Sequence, residues 1–239
     1  MSTAAMPAFP KVRVVRKTGE TVFAVDLAPR DSRQAPLPLP NKLLSHFLDH
    51  FSKSARVQIE LVSTEWPGSW QLDHVLCEDM GQLLGRGLAA IHDSRVPREG
   101  LTGRGHSRVC MDDACAEVVL SFESRPRAQW ELSGNVCAGI DGFVDAWYDN
   151  EGSVVGWCMG TNLRQFVDGF ALGAGATVLV TVQSAVNLHH LYEAVFRALG
   201  ETVAAALGLS ACVPCLPGDS SGLAGAPHYS IETIDKVGS

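Results

Sequence analysis

The order of periodic segments most limits what this chain can fold into: strand, strand, helix, strand, helix, and then the same series again. Apolar and polar residues alternate over 12–25 around Gly19, which reads as a hairpin. Residues 42–54 carry Leu43, Leu44, Phe47, Leu48 and Phe51 at helical spacing, and VQIELV (57–62) is strand-like. A second helix over 73–91 has a buried stripe of Leu76, Met80, Leu83, Leu84 and Leu88. A polar connection over 93–105 separates this series from the next. Strand-like segments then return at 107–109 and 116–122, a helix at 162–172, a strand at 177–183 and a long helix at 188–207. Residues 134–155, with Gly, Asp and Trp, read as an inserted loop. A repeated unit of this size implies an α+β fold of duplicated half-domains, each a mixed β-sheet packed on helices. The expected division is 1–98, then 99–207 with an insertion near 134–155, then a C-terminal tail over 208–239.

Composition narrows the functional classes. The chain has 239 residues, 46% hydrophobic and 19% charged, ample for a buried core. A net charge of −7 argues against nucleic acid as a partner, because phosphate binding needs a clustered positive face. No apolar run is long enough to span a bilayer, and the N-terminus lacks a basic segment followed by an apolar core. The expectation is a cytoplasmic protein with no membrane partner. Seven cysteines without regular spacing read as reduced thiols rather than a disulfide framework. Cys212 and Cys215 form one CxxC, short of the four ligands of a structural zinc site.

Chemistry concentrates at two helix starts. His74 with Glu78, and His189 with Glu193, stand four residues apart, one above the other on a helical face. Such a pair can hold a divalent ion, although at this spacing a surface hydrogen bond is the commoner arrangement. The two pairs occupy equivalent places in the two halves, which strengthens the metal reading. His190 sits about 100° around the helix from His189, so it faces a different partner. His50 adds a further candidate on the preceding helix. His46, His92, His106 and His228 read as structural or exposed.

Several segments carry a family resemblance. RKTGET (16–21) resembles the RxTxET opening of imidazoleglycerol-phosphate dehydratase, and FLDHF (47–51) resembles its FLDHM. DHVLCEDMGQLLGRGL (73–88), MDDACAEVVLSFESRP (111–126) and NLHHLYEAVFRAL (187–199) match three more of its motifs, in order, over about Arg13 to Leu207. The resemblance implies metal-ligand roles for His50, His74, Glu78, His189, His190 and Glu193. It implies catalytic roles for Glu20, Glu78 and Glu193, and substrate or phosphate contacts for Arg125, Arg197 and Asp112. Two family histidines fall at Val75 and Leu179, an arginine falls at Gly103, and the tail motif is echoed only by Ser220, Ser221 and Gly222. His190 would join His74 and Glu78 if the halves exchange their second histidine.

The implied cofactor is a divalent metal, manganese in the family, with Fe, Zn, Co or Ni compatible with the same donors. The implied partners are a small-molecule substrate and further copies of the chain, as trimers that build a shell on the order of 24 copies. The reading is a divergent metal-dependent carbon–oxygen lyase, dehydratase-like, acting on a small azole or related polar substrate. Two alternatives stand beside it: a non-catalytic, metal-stabilised assembly or regulatory relative, and a histidine-biosynthesis dehydratase.

Overall fold

The computed structural model describes residues 9–30, 36–66, 72–136 and 139–209. The Cys212–Cys215 pair, Ser220, Ser221, Gly222 and His228 lie outside them. The first half contains β1 (Val12–Lys17), β2 (Val22–Pro29), α1 (Lys42–Ala55), β3 (Val57–Glu65) and α2 (Asp73–Glu99). The second contains β4 (Arg104–Met111), β5 (Ala114–Phe122), β6 (Arg127–Val136), β7 (Phe143–Tyr148), β8 (Val154–Met159), α3 (Gly160–Ala174), β9 (Ala176–Ala185) and α4 (Leu188–Ala206). The fold is α+β, as the segment order implied. The described sheet of the first half, β1-β2-β3, is antiparallel. The second, β4-β5-β9-β6, is mixed, with β6 parallel to β9.

Alternation places the core. On β9 the buried residues Ala176, Val178, Val180 and Val182 face the helices, and the residues between them face outward. Four helices cover the inner faces of the sheets as two pairs, α1 with α4 and α2 with α3. The second pair is exceptionally close. A Cβ on Gly81 would lie 2.1 Å from the Phe166 carbonyl oxygen, and one on Gly169 would lie 2.3 Å from that of Glu78. Only glycine lets two helix backbones approach so far.

The two pairs are copies of one another. A Cβ on Gly85 would strike the Phe170 carbonyl oxygen and the Ala174 nitrogen; one on Gly200 would strike the same atoms of Phe51 and Ala55. Thus α2 matches α4, and α1 matches α3. Both α1 and α3 end on a left-handed residue, Arg56 (φ 58°) and Gly175 (φ 61°), that turns the chain into β3 and β9.

Two segments differ from the sequence expectation. The polar stretch 93–105 is largely helix, because α2 runs on to Glu99. Polar composition there conceals a tertiary anchor: buried Arg95 donates to the Leu207 carbonyl oxygen (2.6 Å) and pairs with Glu99. The segment 134–155 is not a plain loop. It holds the end of β6, all of β7 and the start of β8, and β7 and β8 pair as an antiparallel hairpin.

Candidate metal centre

The amino-terminal halves of α1 and α4 meet at a cluster of imidazoles around one carboxylate. Each helix start is fixed by an asparagine cap. Asn41 accepts from the Leu44 N–H (3.0 Å), and its amide donates to the Trp157 carbonyl oxygen (2.7 Å), which ties the β7–β8 hairpin to α1. Asn187 accepts from the His189 N–H (2.7 Å), while its own N–H donates to Asp113 (2.9 Å) at the β4–β5 turn. Fully buried Tyr192 donates to the Ile140 carbonyl oxygen (2.8 Å) and fixes the approach to the hairpin.

Within this frame, Nε2 of His46, His50 and His189 lie 2.8, 3.0 and 3.6 Å from Oε1 of Glu193. Buried Arg197 lies one turn further along α4. It sits 3.6 Å from the other Glu193 oxygen and donates from Nε to His50 Nδ1 (3.3 Å). Asp145, on β7, lies 3.3 Å from His189 Nδ1.

Burial alone would raise the Glu193 carboxyl, but contacts with His189, His46 and His50 outweigh it and hold the group far below the usual carboxylate range. Burial lowers the His50 imidazole, reinforced by His46 and Arg197. Glu193 raises that of His189, with Asp145 adding to the effect. His50 Nε2 is buried and close to the carboxylate but poorly aligned with it, so it has no well-formed hydrogen bond. Donor atoms of His46, His50 and Glu193 all fall within 4.8 Å of one another. Imidazole nitrogens and an anionic carboxylate converging in this way are a donor set suited to Mn, Fe, Co, Ni or Zn.

The structure thus gathers His50, His189, Glu193 and Arg197, and adds His46, which the sequence had suggested was structural or exposed. The signal for His46 was present: it stands four residues before His50, on the same helical face.

The other candidates lie apart. His190 is held at Nδ1 by Asp113 (2.6 Å), with Asp112 3.4 Å from Nε2. No described contact in one chain brings it to His74 or Glu78. His74 is exposed in the first turn of α2, and Glu78 accepts from Gln82 (2.9 Å). Gln82 in turn accepts from Arg16 (3.1 Å), which pairs with buried Asp79 (2.6 Å). Glu20 is exposed at the β1–β2 turn, and its charge and that of Glu78 both bear on Asp79.

The duplicated frame shows why this second place differs. The positions matching His46 and His50 are Gln165 and Gly169, and the one matching Arg197 is Gln82. Arg125 lies beyond the far end of β5, a nine-residue strand roughly 30 Å long at 3.3 Å per residue that begins beside Asp113. Val75 is buried in the core, and Leu179 faces outward from β9. Gly103 has φ +64°, where a side chain is strained, and a Cβ there would meet His92 Nε2 at 2.5 Å, so an arginine would have to displace that ring.

A duplicated α+β scaffold with a helix-borne imidazole–carboxylate cluster defines the class. The family model of imidazoleglycerol-phosphate dehydratase matches residues 40–203. The imidazoleglycerol-phosphate dehydratase of Burkholderia orbicola (strain MC0-3) is 32% identical over 201 residues, covering 82% of this chain and 90% of its own. That of Geobacillus kaustophilus is 30% identical over 191 residues, 80% and 87% of the two chains. The crystal structure of IGPD from Pyrococcus furiosus aligns with a TM-score of 0.56 at 26% identity, covering 80% of this chain and 90% of that one. The Staphylococcus aureus structure aligns at 0.57 and 18% identity, over 82% and 98%, and supports the fold. The chain belongs to the imidazoleglycerol-phosphate dehydratase family.

Proposed function

We propose that this chain is a divergent metal-dependent lyase of that family, removing water from a small polar substrate that bears an azole. The observation that carries this reading is the convergence of three imidazole nitrogens on the Glu193 carboxylate. His46, His189 and Glu193 would hold the ion, joined by His50 once its Nε2, which carries the ring proton while Nδ1 accepts from Arg197, is freed. Their fit rests on the buried, poorly aligned His50 nitrogen and on a carboxylate held as an anion. A bound divalent ion supplies Lewis acidity and a template for the azole.

The protein's own groups divide the remaining work. A dehydration must take a proton from carbon and deliver one to the departing hydroxyl. Glu193 stays ionised in its cluster, so it serves as an anchoring anion rather than a proton carrier. Glu78, partly exposed with one oxygen held by Gln82, and Glu20 at the neighbouring turn lie apart from this cluster within one chain, so they would exchange protons with a substrate held here across a contact with a second copy. Arg197 sets a fixed positive charge behind Glu193 and His50. Asp112 and Asp113 orient His190. Arg125 lies past the end of β5, away from this cluster, so a phosphate contact from it would come across a contact with a second copy of the chain.

Purified protein supplied with Mn²⁺ should dehydrate imidazoleglycerol phosphate or an azole diol lacking the phosphate, read by mass spectrometry as loss of water. Glu78→Gln should lower turnover by about 10²-fold or more. Absence of turnover on every azole diol, with metal bound, would overturn this reading and favour the non-catalytic alternative.

A further inference from the structure

We infer that Cys110 and Cys115 form a thiol–disulfide exchange site for small disulfides such as oxidised glutathione, and that closing it locks the turn that grips the start of α4. The inference is independent of the metal reading above. Placement, chemistry and attachment carry it.

The two cysteines face each other across the β4–β5 pair, with Met111 and Ala114 between them and the turn at 112–113. In an antiparallel ladder the pair that closes a two-residue turn is hydrogen-bonded, and the next pair out is not, with Cα atoms about 4.5 Å apart. That spacing lies within the range a disulfide spans, about 4.4–6.8 Å. The sulfurs already stand 2.8 Å apart. Closing them to a bond of about 2.05 Å asks for less than about 1 Å of side-chain motion. Among the described residues, Cys77 and Cys158 also meet, and both are buried where no small disulfide reaches them.

The surroundings divide the roles. Cys110 is exposed and meets the oxidant first. Arg108, two residues back on the same face of β4, places its cation near both sulfurs, which favours thiolate. Cys115 is half-buried and donates to Gln183 Oε1 (3.6 Å). Burial, and then the neighbouring Cys110 sulfur, push its thiol up to about 11, so it holds its proton while Cys110 attacks. The Cys110 thiolate displaces one glutathione thiolate from the disulfide and is left in a mixed disulfide. That cap removes the Cys110 contact that helped to keep Cys115 protonated. Cys115 then gives up its proton and attacks the Cys110 sulfur, and the second glutathione leaves as its thiolate. Two protein thiols and one glutathione disulfide thus become one bridge and two glutathione thiols, with two electrons and two protons passing to glutathione.

The turn between the cysteines is itself a contact of α4. Asp113 accepts from the Asn187 N–H (2.9 Å) and lies 2.6 Å from His190 Nδ1, and Asp112 lies 3.4 Å from the other nitrogen of that ring. Asp112 sits at φ 47°, a left-handed conformation uncommon for a residue with a side chain. Strand β4 is at the edge of its described sheet, with β5 as its neighbour, so this end of the pair opens readily. A bridge one pair behind the turn limits that opening and keeps Asp113 on the α4 cap.

The test equilibrates the full-length chain with reduced or oxidised glutathione, then reads a peptide map and amide hydrogen exchange by mass spectrometry. The oxidised protein should carry a 110–115 crosslink, and exchange at Asn187 and the first turn of α4 should slow by about tenfold. Asp113→Ala should still form the crosslink but lose that slowing, which a general stiffening of the sheet would not produce. Cys115→Ser should stop at the mixed disulfide, with one glutathione on Cys110. An uncrosslinked pair after exposure to oxidised glutathione would overturn the exchange site. A crosslink that leaves exchange in α4 unchanged would overturn the latch, as would slowing that persists in Asp113→Ala.

Discussion

Substituting Gly200 by alanine opposes two effects of known sign. In an unconstrained helix the change should stabilise by about 1 kcal/mol, because glycine carries the larger backbone entropy. Here the new Cβ would lie 2.6 Å from the Phe51 carbonyl oxygen, 2.7 Å from the Ser54 Cβ and 2.9 Å from the Ala55 nitrogen. Two of those atoms are backbone and have no rotamer by which to retreat. Restoring an ordinary contact near 3.4 Å moves α1 away from α4 by about 0.8 Å. Overpacking of this kind costs about 1–3 kcal/mol, and rigid backbone places it at the upper end. The net expectation is a loss of about 1–2 kcal/mol, or roughly 2–8 °C in Tm for a chain of this length.

The same shift acts on the site, since His50 adjoins Phe51. A displacement of α1 lengthens the 3.0 Å approach of His50 to Glu193 and weakens metal binding in parallel. Gly85→Ala is the matched control. Its Cβ would lie 2.2 Å from the Phe170 carbonyl oxygen, so it should destabilise at least as much while leaving the α1/α4 histidines in place. Thermal unfolding at fixed protein concentration, paired with Mn²⁺ titration of each variant, separates the two. A higher Tm in either variant would refute the packing argument. Equal loss of metal in both would refute the placement of the ion between α1 and α4.

Other outcomes follow from particular contacts. Arg197→Met removes a cation that repels a bound dication and occupies His50 Nδ1, so Mn²⁺ binding measured by titration should tighten, on the order of tenfold. Asp26 is buried under Arg13 (2.6 Å) and Lys11 (2.8 Å), and the hydrogen bond from Arg13 is the main cause holding its carboxyl well below the usual range. Its contribution is complete above about pH 4, where an unfolded aspartate ionises, and fades as pH falls through the lower folded value. The stability measured by urea unfolding should therefore fall less between about pH 5 and about pH 2 in Asp26→Asn than in wild type. Cys110 and Cys115 face one another across the β4–β5 pair with sulfurs 2.8 Å apart, one residue out from the two-residue turn, where side chains approach closely. Oxidised glutathione should accept two electrons and leave a Cys110–Cys115 bridge, seen in a peptide map as a loss of about 2 Da. Buried Cys77, its thiol held well above its usual range by contact with Cys158, should remain unreacted. A map without the 110–115 crosslink would show that the pairing is not realised in solution.

Much of the fold was legible because burial writes a period into the chain. The stripe from Leu43 to Phe51 and the alternation over 176–182 each locate an inward face, and the repeated order of segments implies the duplication. What periodicity could not show was tertiary compensation. Residues 93–99 read as a polar connection because Asp93, Arg95, Arg98 and Glu99 are polar, yet Arg95 is buried on the Leu207 carbonyl, and the adjoining His92 is buried and stacked on Phe122. Strands β6 to β8 were hidden because Gly134, Gly139, Gly142 and Gly152 interrupt the alternation, and a strand's preference depends on the surface it packs against.

The site was legible only in part, for a related reason. Motifs point to His50, His189 and Glu193 because their spacing is local, and the structure brings them together. His46 escaped because a helix start bearing two histidines at i and i+4 looks the same whether its face meets solvent or another helix. What decides is the partner surface. Gly200 lets α4 come close enough for Glu193 to sit among the histidines of α1, and the hairpin that delivers Asp145 is pinned to the α1 cap by Asn41 and Trp157. In the sister pair the same close approach, through Gly85, surrounds Glu78 with Gln82 and the charge of Asp168 but no imidazole from α3. Identical packing with different donors implies that geometry came with the duplication, while the chemistry was set residue by residue afterwards. Placing histidines at Gln165 and Gly169 would test this division. Gly169→His should fail sterically, since its Cβ would lie 2.3 Å from the Glu78 carbonyl oxygen. Gln165→His should fold, and without a histidine at the His50-equivalent position it should not gain a tight ion. A tight second ion in Gln165→His would show that one added imidazole suffices, and that the α2/α3 pair is closer to a metal site than its glycines suggest.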